Sequence, residues 1–499
     1  MEGQVEIKEN RLAVNTILNF IGQIAPLILG VVTIPFIIRN LGPERFGLLS
    51  LAWVILGYFA IFDLGLGRAT TKYVADALSQ GKKNQVPSLV WTSATVQIVF
   101  GLVGSFVFIG FTPLFVNHFL KIPQELAGEA KITFSLLAFA IPVVLITGSF
   151  RGSLEAAQRF DLVNAVNIPS HSLNFLLPLI GLWVGFDLPG IIVLVLLSKI
   201  GALIAFVGIN FHINPLLKRY SGSFSLFPRL FSFGSWVMVS GIVGPILMYL
   251  DRFLIGSISG VASVAYYTAP YEIVSRLWII PTSLVMTLFP AFSSLEGIKD
   301  RKKLGNLFIY SVKYILLIMG PIIIIILIFA QEAVQLWLGP DFALKSTTVL
   351  QILAAGVLVN SLAFTPFSLL QSIGRPDLPA KFHLLELPIY CGLAYILISK
   401  YGIKGAAISW TLRVIIDAFL LFIASFKICH FPINLLKTSK LVFNSFFLLL
   451  LAIIAFGLKI LTENFPLLIQ LILIIALFSQ FAWLLYRKEI RALIQKTNI

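Results

Sequence analysis

Seven ionisable side chains stand in stretches that are otherwise almost wholly apolar: Lys199, Glu272, Arg276, Lys313, Glu386, Arg413 and Asp417. A charge at the centre of a bilayer-spanning helix costs roughly 2.5–3.5 kcal/mol on insertion scales, so each should face protein or water and have a partner. Arg276 carries the most chemistry. Its planar fork suits phosphate oxygens, and Glu272 lies four residues before it, the favoured order for a helical ion pair. The two read either as a contact for phosphate oxygens or as a tie between helices. Arg413 and Asp417 repeat the four-residue spacing. Lys199, Glu386, Arg413 and Asp417 are expected either to couple an ion or to stabilise the fold, with Glu386 able to carry a proton or to answer Lys199 or Arg413. Lys313, close to one end of its apolar run, is expected to snorkel. Asn15, Asn19 and Gln23 recur every four residues and form one amide stripe, suited to sugar hydroxyls or to interhelical hydrogen bonds. The five histidines are scattered without metal-ligand spacing, and neither a Walker motif nor a strand–turn–helix glycine loop occurs, so no metal and no cofactor is expected.

The elements that hold these groups follow from composition. Of 499 residues, 58% are hydrophobic and 12% charged, and the mean hydropathy is +0.95. A soluble globular chain has about 45–50% and 25% respectively. About 290 apolar residues supply roughly fourteen membrane spans of about 20 residues each. Backbone polar groups cannot be left bare in lipid, so such runs must be helices. The runs cover 12–38, 46–66, 88–111, 132–150, 163–186, 190–211, 230–256, 264–289, 304–330, 348–370, 382–399, 405–426, 441–460 and 467–486. The first is too long for the core of a signal peptide. A soluble enzyme, a nucleic-acid binder and a disordered scaffold are excluded. The longest outer connection, 112–131, leaves no room for a catalytic domain outside the membrane, so the chain is not expected to be an enzyme. Pro26 and Pro35 in the first run, and Pro270 and Pro281 in the eighth, are expected to bend their helices.

The net charge of +15 tests the topology. With the amino terminus in the cytoplasm and strict alternation, inner segments hold 24 of the 37 Lys and Arg residues and outer segments 9, Arg252 among them. That asymmetry obeys the positive-inside rule and puts both termini in the cytoplasm. It also accounts for most of the charge without nucleic acid.

The chain repeats itself at an offset near 216. Gly42 aligns with Gly260, Gln158-Arg159 with Gly374-Arg375, and Gly190 with Gly405. Six spans separate the copies, so both have the same orientation. Two lobes, 1–218 and 219–434, are expected, followed by two further spans in 435–499. Transporters of this kind place the substrate between lobes and alternate access by rocking.

The repeat falls on residues with a family likeness. Arg39-Asn40-Leu41-Gly42-Pro43-Glu44-Arg45-Phe46-Gly47 resembles the turn after the first helix of bacterial polysaccharide transporters, the O-antigen and exopolysaccharide flippases of the multidrug/oligosaccharidyl-lipid/polysaccharide exporter superfamily. Asp63-Leu64-Gly65-Leu66-Gly67 is similar to their second-helix ending. Asp251-Arg252-Phe253-Leu254-Ile255-Gly256, continuing to Ala265-Tyr266-Tyr267, looks like a further element of theirs, and Gly374-Arg375 matches a loop. The resemblance covers essentially the whole chain. It implies an all-α polytopic membrane protein, with two pseudo-symmetric six-helix lobes around a cavity lined by spans one, two, seven and eight, and two carboxy-terminal helices. It implies a monomer in the cytoplasmic membrane whose partners are membrane lipids and a polyprenyl-diphosphate-linked oligosaccharide, with a polysaccharide polymerase and other assembly proteins nearby. The diphosphate and sugar would cross from inner to outer leaflet, with Arg276, Glu272, Asn15, Asn19 and Gln23 in the cavity. A cation-coupled drug antiporter of the same superfamily is the nearest alternative, and a membrane-embedded polymerase or glycosyltransferase a more distant one.

Overall fold

The computed structural model describes residues 9–59, 65–297, 300–432, 434–435 and 441–480. Side chains are described from Pro26 onward, except at 27, 229, 231–242, 245, 286–287, 290–291, 294 and 297 within helices. Among these residues the chain is mostly helical and has no β-strand. Every expected span falls largely on helix where it is described. Among the described residues, seven helices are each long and apolar enough to cross a bilayer. The chain is a multi-pass membrane protein.

It divides into two compact units, Met1–Ala269 with Leu387–Ala406, and Pro270–Glu386 with Ala407–Ile499. In the first unit, α1 (Glu9–Tyr58) is interrupted at Gly42, whose φ of 77° is left-handed, and its halves carry the first two expected spans. Non-helical dihedrals occur in α1 only at Gly42, not at Pro26 or Pro35. Next come α2 (Leu66–Ser79), α3 (Val86–Leu114), α4 (Gln124–Ala138), α5 (Ala140–Ala156), α6 (Phe160–Val184), α7 (Leu188–Ile213) and α8 (Phe227–Ile258). Helix α1 packs along α6, α3 along α5, and α7 against α5 and α6. Phe150, Leu154 and Phe206 join Leu66 and Val90 in one core cluster. Asp187 starts α7 by accepting a hydrogen bond from the Gly190 amide at 3.0 Å, which satisfies one orphan donor of the first turn.

Helix α9 (Val261–Ser275) begins in the first unit and leads into the second, where α10 (Ile279–Gly297), α11 (Arg301–Leu338) and α12 (Pro340–Ser372) follow. Helix α13 (Asp377–Ile428) is broken at Gly402 and carries spans eleven and twelve. Helices α14 (Leu441–Leu461) and α15 (Leu467–Gln480) close the described chain. Helix α14 docks on α11 through Ile324, Ile328, Leu448 and Leu451. Helix α11 leaves helical geometry at Phe329. The two carbonyls just before the break turn to side chains: Leu327 O accepts from Gln351 Nε2 at 2.9 Å, and Ile328 O accepts from Lys459 Nζ.

The sequence repeat has a structural counterpart. Gln158 (φ 57°) and Gly374 (φ 76°) are both left-handed. Each is followed by an arginine amide that bonds back five residues, Arg159 N to Leu154 O at 2.9 Å and Arg375 N to Leu370 O at 2.8 Å. These are two copies of one helix-ending motif. Both copies then pair an Arg with an Asp two residues on: Arg159 Nη2 lies 2.8 Å from Asp161 Oδ2, and Arg375 Nε 3.0 Å from Asp377 Oδ1. The guanidinium beside each carboxyl holds it below the usual carboxylate range, with Lys381 assisting at Asp377. Gly42 and Gly260 (φ 92°) match in the same sense.

Candidate functional site

The turn at Gly42 is built from its own residues. Gly42 takes a backbone conformation that costs a residue with a Cβ roughly 1–2 kcal/mol. Pro43, whose fixed φ suits a helix start, opens the second half of α1. Arg45 Nε donates to both carboxylate oxygens of Glu129 on α4, at 3.0 and 2.9 Å. Gly47 abuts the carbonyl of Val261, where a Cβ would collide. Arg39 is exposed. These motif residues join α1 to α4 and to the start of α9, so their work in the fold is positional.

Asp251 and Arg252 do not form a turn. Both lie inside α8 and both are fully buried. Tyr267 Oη donates to Asp251 Oδ2, and the Arg252 amide donates to Asp251 Oδ1 at 2.8 Å. The Arg252 guanidinium lies 3.7 Å from Asp251, donates to Met248 O at 3.3 Å and sits 4.9 Å from the Tyr249 ring centroid. Tyr58 packs edge-on against Tyr249 at 5.7 Å. Counting Arg252 in an outer segment is therefore wrong. The helix continues past it to Ile258, so Arg252 is not in a connecting segment. At Gly256 a Cβ would stand 3.0 Å from Leu120 Cδ2, so the motif glycine admits the loop after α3.

Arg276 occupies a break in the eighth span. Helix α9 ends at Ser275, a single 3₁₀ turn covers Arg276–Trp278, and α10 begins at Ile279. Pro281 explains the position, because it has no amide hydrogen to give to Leu277 O. Pro270 lies within α9 without such a break. Arg276 Nη2 donates to Glu272 Oε2 at 2.9 Å, with side-chain exposures of 36% and 26%. One of the five guanidinium donors is thus engaged, and the other four have no hydrogen-bond partner among the described residues. Tyr271, Trp278 and Trp410 pack edge-on or tilted beside this turn, with centroids 5.8–6.3 Å apart. The pair is partly open, and the arginine retains donors for an anion.

A second polar group lies between the two halves of α13. Arg413 Nη1 is 3.6 Å from Glu386 Oε2, and His383 Nε2 is 3.7 Å from Asp417 Oδ1. Glu386 and Asp417 are buried. The His383 ring stacks on Phe367 at 6.4 Å. The sequence brings Arg413, Asp417 and Glu386 forward but misses His383, which stands three residues before Glu386 on the same helical face. Two carboxylates face one guanidinium here, so the charge balance depends on a proton held by His383 or by a carboxyl.

The remaining residues divide. Lys199 Nζ reaches Ser170 Oγ on α6 at 3.4 Å. Lys313 is buried, with the Tyr310 and Tyr314 rings each 5.6 Å from its ammonium. It does not snorkel, because the flanking rings provide the cation's surroundings within the fold. Asn15, Asn19 and Gln23 lie on α1, but their side chains are outside the described residues, as is Asp63. Among the described residues no cluster of three His, Cys, Asp or Glu can hold a metal ion.

Residues 12–296 match the family model described as polysaccharide biosynthesis protein, and residues 237–396 match that of MatE. The Shigella flexneri protein named "Putative O-antigen transporter" is 32% identical over 409 residues, 82% of this chain and 96% of that one. The Haloferax volcanii "Probable low-salt glycan biosynthesis flippase Agl15" is 24% identical over 415 residues, 82% of each. Among solved structures, the lipid II flippase MurJ in an inward closed conformation superposes with a TM-score of 0.74 at 17% identity, covering 96% of this chain and 100% of that one; at that identity the likeness speaks for the fold. The chain belongs to the family of polysaccharide biosynthesis proteins.

Proposed function

We propose that the protein is a flippase. It carries a polyprenyl-diphosphate-linked oligosaccharide, the repeat unit of an O-antigen, capsule or exopolysaccharide, from the inner to the outer leaflet of the cytoplasmic membrane by alternating access. The observation that carries this reading is the near full-length likeness to a protein named as an O-antigen transporter. Arg276 adds geometry, as a half-open guanidinium beside a carboxylate at a helix break. On this reading Arg276 contacts the diphosphate, Glu272 orients it, and the amides of Asn15, Asn19 and Gln23 meet sugar hydroxyls. The lobes are 1–218 and 219–434, residues 435–499 form two further spans and a cytoplasmic tail, and both termini are cytoplasmic. The protein works as a monomer, without catalysis, and hands its cargo to a polymerase and other assembly proteins.

The drive is the membrane potential. A diphosphate carries about two negative charges, and one charge crossing 100 mV is worth about 2.3 kcal/mol. Inside-negative polarity thus favours outward transfer. The buried Glu386, Asp417 and Arg413 group and Lys199 serve as lobe ties, with proton coupling as the competing role. Leaflet-resolved transfer of a defined polyprenyl-diphosphate oligosaccharide in proteoliposomes under a valinomycin-set potential tests both points. Transfer that follows the sign of the potential supports the reading. Transfer that ignores the potential and follows a pH or sodium gradient assigns coupling to those carboxylates. Transport of a cationic dye with no lipid transfer would favour the drug-antiporter alternative.

A further inference from the structure

Helix α3 ends unusually. After Leu114 the chain makes a five-residue π turn, Phe115–Phe119, then an extended step to Pro123, where α4 begins. π turns are rare and recur at functional sites. The step is held firmly. Lys121 N donates to Gly256 O at 3.0 Å, and Lys121 Nζ donates to Ile258 O at 2.7 Å. Both carbonyls belong to the last turn of α8, which has no helical partners for them.

This segment lines an open cup of about 670 Å³, in which Asn117, His118, Lys121 and Gln124 are exposed. Its polar lining is Asn117, His118, Lys121 and Gln124, over a floor that includes the buried Val116 and Leu120. Every one of those four side chains has a hydrogen to donate, and no carboxylate lines the cavity. Asn117, His118 and Gln124 make no side-chain hydrogen bond to the described residues, and Lys121 spends one of three donors on Ile258. Such a lining fits an anion. The neighbouring surface of α3 is apolar and exposed: Phe106 and Val107 further along the helix, then Phe111, Leu114 and Phe119 beside the cavity. In a chain that spans a membrane, that flank lies against lipid tails.

From this juxtaposition we propose that the cup at the end of α3 binds the phosphate of a bilayer phospholipid, whose acyl chains run along the exposed flank of α3. The occupant is a resident lipid, because the cup opens beside a lipid-facing surface and its charge complements a phosphodiester. The site does not depend on what the protein transports. On the charge-count topology it belongs to the outer leaflet. By holding the segment that ties α3 to the end of α8, the lipid stiffens the first unit.

The test uses the purified full-length chain in detergent and native mass spectrometry with three probes: dioctanoyl phosphatidylglycerol, dioctanoylglycerol and geranyl diphosphate. Phosphatidylglycerol should bind and raise the melting temperature, while dioctanoylglycerol, which lacks the phosphate, should do neither. The His118→Ala/Gln124→Ala double variant keeps Lys121 and its structural bond. It should bind phosphatidylglycerol about tenfold more weakly, the scale of a lost hydrogen bond to a charged group. Gln124→Glu, which puts a carboxylate into the cup, should reduce binding at least as much and provides a second variant if the first fails to fold. Equal binding of dioctanoylglycerol, or unchanged affinity in a folded variant, overturns the proposal. Displacement of phosphatidylglycerol by equimolar geranyl diphosphate also overturns it, by assigning the cup to a polyprenyl substrate.

Discussion

Two arginine–carboxylate pairs in apolar helices have opposite surroundings. Asp251 and Arg252 are sealed, with no side-chain exposure, and are surrounded by tyrosines. Glu272 and Arg276 meet at 2.9 Å, yet stay one-quarter to one-third open where the helix tightens into a 3₁₀ turn. The contact in the open pair is the shorter and the contact in the sealed pair the longer, so ion-pair distance does not separate architecture from ligand binding. Access does. A buried pair has its desolvation cost met by fixed partners and can accept no guest without losing them. A half-open pair has donors to spare and gives up little when a phosphate replaces its carboxylate.

The comparison is broken most directly at Asp251. Asp251→Ala takes this carboxylate away from the buried Arg252, and breaking a buried pair in this way costs about 3–5 kcal/mol. The expected outcome is the largest fall in apparent melting temperature among the substitutions considered, with poor recovery of folded protein, read by fluorescence-detected size-exclusion chromatography after heating. A variant as stable as the parent would mean that Met248 O and the Tyr249 ring hold the guanidinium without the carboxylate. Gly47→Ala comes next. The added methyl meets the backbone carbonyl of Val261, which cannot rotate away as a side chain would, so overpacking of about 1–3 kcal/mol is expected. The same heating series checks it, and a neutral result would show that α1 and α9 can slide apart at this point. Arg276→Gln has the smallest structural effect of the three. An exposed pair four residues apart is worth about 0.3–0.5 kcal/mol, so the melting temperature should hardly move while leaflet transfer falls at least tenfold. Loss of folded protein would move Arg276 into the same class as Arg252, and unaltered transfer would remove it from the site.

The spans were legible because hydropathy reports transfer from water to lipid, which is what a spanning helix undergoes. The repeat was legible because left-handed turns restrict residue type: Gly42, Gly260 and Gly374 stand where φ is positive. The polar pairings were harder. The four-residue spacing correctly joined Glu272 to Arg276. The same spacing offered Arg413 and Asp417 to each other, while the structure brings them to Glu386 and His383 on the other half of α13. A pairing across the Gly402 break depends on how two helices lie together, and that leaves no periodic mark in the chain. Arg252 was misplaced for a related reason. A charged dipeptide near the end of an apolar run looks like the beginning of a loop, and only the tyrosines delivered by α1, α8 and α9 show that it is core. Lys313 repeats the lesson with Tyr310 and Tyr314. Sequence locates a charge along the helix axis well; it locates it around the axis poorly.

The smallest effect concerns the two copies of the helix-ending turn, which differ at one informative position. Gly374 takes φ 76° without a Cβ, while Gln158 takes φ 57° with one. The five-residue back-bond and the Arg–Asp pair occur in both copies, with Lys381 as an added partner of Asp377, so within the turn itself the side chain is the difference. A non-glycine residue in this region costs roughly 1–2 kcal/mol, and replacing it by glycine returns part of that to the extra freedom of the unfolded chain. Gln158→Gly should therefore stabilise by about 0.5 kcal/mol, and Gly374→Gln should destabilise by at least as much. A small rise in melting temperature for the first and a fall for the second would establish that both copies obey one backbone rule. If Gln158→Gly instead destabilises, the glutamine side chain makes a compensating contribution that its repeat partner lacks, and the two turns are alike in shape but not in what holds them.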